Sequence, residues 1–149
     1  MAPVDERDIE LRNATYRRFV DTGRAPMSTE LARALATDDA AITAGWRRLH
    51  DAHALVLDDR DAIRMLNPLS TVPTSFRVLA DGRWWYANCG WDAFGIGAAL
   101  GVDSTIETEC PDCHERIEVA VRDRRPEPSE LIWHVLVPAR AWWQDIGFT

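Results

Sequence analysis

The 149-residue sequence contains no lysine, so all 17 of its basic residues are arginine. Against 24 acidic residues they leave a formal net charge of −7, which disfavours long-range attraction to nucleic acid or to an anionic membrane. The arginine bias is assigned to genome composition ahead of function. Cysteine is scarce. Three residues, an odd number, argue for free thiols or a metal site in a reducing compartment rather than for structural disulfides. Long apolar runs are also missing, and none approaches the roughly 18–20 residues that span a bilayer. The opening Met1-Ala2-Pro3-Val4-Asp5-Glu6-Arg7-Asp8 is charged and lacks the apolar core of a signal peptide. These absences together lead us to expect a cytoplasmic protein with no membrane partner. No HExxH, Gly-x-Ser-x-Gly or P-loop pattern occurs, so hydrolase and nucleotide-binding readings have little support.

What is present describes a folded chain. Hydrophobic residues make up 46% of it, enough for a real core in one domain or two small ones. Leu11, Tyr16, Phe19 and Val20 recur at helical spacing from Asp8 to about Thr22, and Gly23 ends that helix. Ser28 is placed to cap a second helix through Leu31 and Leu35. Thr37 or Asp38 can cap a third, with Ile42, Trp46 and Leu49 on one face and Arg47 and Arg48 on the other. The period then becomes that of a strand. Ala54–Leu57 and Ala62–Leu66 flank the turn Asp58-Asp59-Arg60-Asp61 as a hairpin.

Three helices followed by a hairpin resemble a winged helix. Two readings are open: DNA binding through the third helix, or a structural helical module. Asp38, Asp39 and Asp51 beside Arg47 and Arg48, together with an acidic hairpin tip, favour the second, because a phosphate-facing surface should be more basic. A linker around Pro68 and Pro73 then separates a domain of residues 1–72 from one of residues 73–149.

The second half opens with strands Phe76–Leu79 and Trp84–Ala87 around an Asp81-Gly82 turn. Asn88 is suited to cap the next helix, which places Cys89 at its start and Gly101 just past its end. Its apolar residues cover much of its surface, so a buried helix is expected. Cys89 would lie near free backbone N–H groups and the positive helix end, which favour a thiolate. Asp92, three residues on, shares its face. The alternative is a structural buried cysteine beside a locally paired aspartate. Ser104–Glu109 and Ile117–Val121 read as paired strands, and Leu131–Val137 as a last, central strand. Trp142, Trp143 and Phe148 lie in a helical or irregular end.

Between the paired strands lies Cys110-Pro111-Asp112-Cys113-His114. A metal knuckle, a redox pair and a plain structural turn all remain open for it. A single CxxC is half of a four-ligand zinc site, and Cys89, His114 or His134 would have to complete it. His134, on an apolar strand, is expected to be a satisfied core histidine. His50 and His53 have no partners at a ligand spacing.

The segment Tyr86-Ala87-Asn88-Cys89-Gly90-Trp91-Asp92 resembles the Tyr-Ala-x-Cys-x-x-Asp segment of the alkylmercury (organomercurial) lyase family. The similarity extends over most of the chain, from the helical N-terminal part to the end segment Trp142–Thr149. It implies an α+β fold, with a winged-helix-like three-helix module followed by a mixed or antiparallel sheet with a buried central helix. It also implies protonolysis of a carbon–mercury bond, with Cys89 as the mercury-binding thiolate and Asp92 as the proton carrier. Tyr86 and Trp91 would line the substrate pocket. The implied partners are an organomercurial and cellular thiols; Hg(II) is the product, no cofactor is required, and nucleic acid is not expected. Zinc at Cys110 and Cys113 is a further expectation. The family's second cysteine falls just beyond the segment matching Trp142–Thr149. Its absence implies a shortened sequence, substitution by Cys110 or Cys113, or an incompetent lyase. Two other classes stay open: a winged-helix, metal-sensing transcriptional regulator, and a non-catalytic metal-binding protein using Cys110 and Cys113.

Overall fold

Asp5 accepts a hydrogen bond from the backbone N–H of Asp8 (2.8 Å) and so starts helix α1, Glu6–Thr22. The computed structural model that shows this describes residues 4–132 and 134–147. Gly23, at φ 72°, closes α1 in the left-handed conformation that glycine adopts without steric cost. Helix α2 is Ser28–Ala34, and its cap differs from the expected one. Met27 holds the N-cap position, and the Glu30 carboxylate reaches back to the Met27 N–H at 2.9 Å. Helix α3, Asp39–Asp51, is capped by Asp38, one of the two candidates its sequence offers.

Leu11, Phe19, Leu31, Ile42, Trp46 and Leu49 form the core of these helices. A polar pair sits among them: Trp46 Nε1 donates to Thr15 Oγ1 at 3.0 Å, and Thr15 Oγ1 donates to the Leu11 carbonyl at 2.7 Å. Every buried polar atom of that pair thereby finds a partner, as a dry interior requires. Strands β1 (Val56–Leu57) and β2 (Ile63–Leu66) pair antiparallel across the expected turn. Part of the expected linker is structured. Leu69–Ser70 forms strand β3 against β2, and Leu69 is buried. Tyr16 Oη donates to the carbonyls of Ala54 and Asn67 and ties this ribbon to α1.

The chain divides into a unit ending at Pro73 and a second starting at Thr74. In the second unit, β4 (Phe76–Ala80) and β5 (Arg83–Ala87) join through Asp81 and Gly82, both at positive φ, the two-residue turn that suits strand twist. Helix α4, Gly90–Leu100, follows. Strand β6 (Ser104–Glu109) pairs with β4, β7 (Arg116–Arg122) with β6, and β8 (Arg125–Pro126) with β7, all antiparallel. The strand order in this unit is β5-β4-β6-β7-β8. The architecture is α+β.

Helix α4 packs on β4, β5 and β6, with Ala93, Ile96 and Gly97 buried. It is buried on that face only; Trp91 and Phe94 are exposed on the other. Its nearly continuous apolar sequence therefore exceeds what one sheet covers. The expected strand at Leu131–Val137 does not form among the described residues. Both flanks of β4, β6 and β7 are already paired, so no interior slot is left for a central strand. Leu131, Ile132 and Leu136 are accordingly exposed, and so is His134, which is not a core histidine. Trp133, Phe148 and Thr149 lie outside the described residues. Residues Ala139–Gln144 form a short 3-10 helix, where Trp142 Nε1 donates to the Val137 carbonyl at 2.7 Å.

Candidate active site

Strand β5 delivers the chain to α4 through Asn88 and Cys89. Cys89 itself, at φ −154° and ψ −178°, is the N-cap, one residue later than Asn88. Asn88 takes a different part. Its Nδ2 donates to Asp92 Oδ2 at 3.0 Å and fixes the carboxyl group from the preceding residue. Residue spacing contained that signal, since the two stand four apart. A preference for Asn as a cap concealed it.

The Cys89 thiol donates to the Asp92 carboxyl, so sulfur and carboxylate meet in the first turn as their spacing predicts. The electrostatics differ from the expected thiolate. Burial pushes the Cys89 thiol above its ordinary range, and the neighbouring Asp92 charge adds to this. The backbone N–H groups of Asp92 and Trp91 oppose the shift without overcoming it. Burial likewise raises the Asp92 carboxyl, against the hydrogen bonds from Asn88 and Cys89. Desolvation thus outweighs the helix terminus. Each group holds its proton more firmly than it would in water, and a direct S–H···O contact joins them.

Trp91 sits beside them and is 62% exposed. Tyr86 does not join them. Val78, Ala80, Trp85, Ala87, Ser104 and Ile106 are buried, and the close approach of Gly97 to Ser104 marks theirs as the sheet face under α4. Tyr86 alternates with Trp85 and Ala87 and therefore projects from the opposite face.

Cys110 and Cys113 lie on the turn between β6 and β7. Among the described residues no group of three or more His, Cys, Asp or Glu is placed to hold a metal ion, so the expected zinc site has no ligand set there. His114 Nδ1 is 2.6 Å from Glu109 Oε1. Backbone N–H groups of Cys113 and Asp112 and the Cys113 thiol hold Cys110 below the usual thiol range.

No sequence among curated proteins matches this chain. The crystal structure of the mercury-bound form of MerB2 has the same fold, with a TM-score of 0.69 at 21% identity over 84% of this chain. This chain in turn spans 60% of that protein's length. Residues 69–149, more than half of the sequence, match the MerB family model, described as alkylmercury lyase. That match runs from β3 through the Cys89–Asp92 turn to the final residue, and the chain belongs to the alkylmercury lyase family.

Proposed function

We propose that this protein is an organomercurial lyase-like enzyme that cleaves a carbon–mercury bond by protonolysis at Cys89 and Asp92. One observation carries the reading: a half-buried thiol and a half-buried carboxyl group, both of raised proton affinity, share a hydrogen bond on the first turn of α4. Mercury is a soft ion and prefers thiolate. When the sulfur bonds to mercury, the small thiolate that the alkylmercury carries is displaced, the Cys89 proton passes to the adjacent Asp92 carboxylate, and the metal neutralises the charge of the Cys89 thiolate. Electron donation from sulfur enriches the Hg–C bond. Asp92 then returns the proton to carbon, the bonding pair stays with carbon, and the hydrocarbon leaves. Mercury(II) remains on Cys89, where a cellular thiol can supply the second ligand. No resident cofactor is needed. Burial serves the first step, because a carboxylate of raised proton affinity takes up the thiol proton more readily than an exposed one. Trp91 offers an apolar surface for the alkyl or aryl group. Tyr86, on the far sheet face, is assigned no contact with substrate. We place the reaction in the cytoplasm, where small thiols are abundant.

The regulator reading is weaker. Arg47 is paired with Asp61 and Arg48 with the nearly buried Asp8, so the cations of α3 are already engaged by carboxylates. The test is methane release from methylmercury with excess small thiol. Wild type should release methane; Cys89→Ser and Asp92→Ala should not. Equal release by wild type and Cys89→Ser would sink the proposal.

A further inference from the structure

The Cys110–Cys113 turn belongs to no step of that reaction, yet it is built in detail. Cys110 N–H donates to the Glu115 carbonyl at 2.9 Å and His114 N–H to the Cys110 carbonyl at 3.0 Å, which closes the loop on itself. Pro111 fixes one backbone torsion, and His114 turns the chain at φ 61°. The outcome is that Cys110 sulfur receives three donors: the N–H groups of Cys113 and Asp112 and the Cys113 thiol. Two sulfurs are therefore in contact on a hydrogen-bonded hairpin tip. Cys110 is half-buried and Cys113 is exposed.

A four-coordinate hard or borderline cation needs more ligands than this turn supplies, and none is at hand among the described residues. A soft d10 cation that is satisfied by two thiolates needs only the pair. We infer that the Cys110–Cys113 turn is a second mercury site, separate from Cys89, that takes Hg(II) as a two-coordinate dithiolate from small-thiol complexes. The exchange balances. Two bonds from mercury to the small thiolates break, two bonds to Cys110 and Cys113 form, and the two cysteine protons leave on the displaced thiols. The backbone donors at Cys110 are already oriented toward sulfur and so need no rearrangement to stabilise it as a thiolate. The inference goes beyond the lyase reading, since the ligand is mercury already free of carbon.

The experiment uses the full chain carrying Cys89→Ser, kept reduced, with Hg(II) added in excess small monothiol. Native mass spectrometry should show one mercury per chain and the loss of two protons. Adding Cys113→Ser to that chain removes the chelate, and retention should fall by about 10²–10⁴-fold, the scale of an intramolecular second ligand. Zn(II) under the same competition should not be retained. Three outcomes would overturn the inference: no mercury on Cys89→Ser, equal retention after Cys113→Ser, or zinc held as firmly as mercury. Because Cys89 is absent throughout and no carbon–mercury bond is present, the result is independent of whether Cys89 and Asp92 catalyse cleavage.

Discussion

Gly97→Ala separates local propensity from packing. In an open helix, Ala in place of Gly stabilises by about 1 kcal/mol. Here α4 lies on β6, and a Cβ at Gly97 would stand 2.6 Å from Ser104 Oγ, 3.0 Å from Ser104 Cβ and 3.1 Å from the Val102 carbonyl oxygen. None of these neighbours yields easily. Ser104 is buried and registered between Ala80 and Val121, and Val102 N–H is bonded to the Gly97 carbonyl at 3.0 Å. Overpacking of this kind costs about 1–3 kcal/mol, and backbone involvement points to the upper half of that range. The net expectation is a destabilisation of about 1–2 kcal/mol after the propensity gain is subtracted. Urea unfolding monitored by tryptophan fluorescence reads it directly. Relief should come from Ser104→Ala, which removes the nearest atom, so the double variant should recover at least about 0.5 kcal/mol beyond additivity. The variant should also shift α4 outward, expose Cys89 and speed its alkylation. A Gly97→Ala protein more stable than wild type would refute the reasoning, because propensity would then outweigh the contact with Ser104.

Three further outcomes follow from the same geometry. Asp92→Asn should stabilise the fold at neutral pH: the raised carboxyl pKa means that the folded protein resists ionisation, so wild-type stability is fullest below the ordinary carboxylate pKa and falls as pH rises through the folded value. The advantage of the variant should shrink towards zero in acid, and a constant difference across pH would contradict the burial argument. Thiol labelling with iodoacetamide near neutral pH should modify Cys110 first and Cys89 last, since backbone donors lower the one and burial raises the other; mass mapping that finds Cys89 labelled first would overturn the order. Thr15→Val should cost about 1–3 kcal/mol by leaving the buried Trp46 N–H unpaired, with partial recovery in Thr15→Val/Trp46→Phe, whereas a change below about 0.5 kcal/mol would mean that another acceptor replaces Thr15.

Much was legible from the residues alone. The helix limits at Gly23 and Gly101 and the Asp81-Gly82 turn each follow from one or two residues with narrow backbone preferences, the cap of α3 was narrowed to Thr37 or Asp38, and the β6–β7 pairing follows from alternating apolar and polar residues. The spacing of Cys89 and Asp92 put them on one helical turn for the same local reason. What lay beyond reach depends on neighbours distant in sequence. Leu131–Val137 has the composition of a central strand, but a strand needs free edges beside it, and pairing elsewhere decides whether any exist. Helix α4 reads as buried because apolar residues cover much of its surface, while the number of layers covering it is a property of the fold.

The candidate site divides in the same way. Sequence determined which groups are present and that Cys89 and Asp92 share a turn, because helical periodicity is a local rule. Tertiary structure decided their proton affinities. The sheet under α4 removes water from both groups, and desolvation then outweighs the few backbone N–H groups that favour a thiolate. It also decided that Asn88 holds Asp92 instead of capping the helix, and that Tyr86 faces away, since one sheet face is committed to α4. Local rules fix where side chains start along the chain; proton affinities and partners depend on what packs around them, which only the assembled fold supplies.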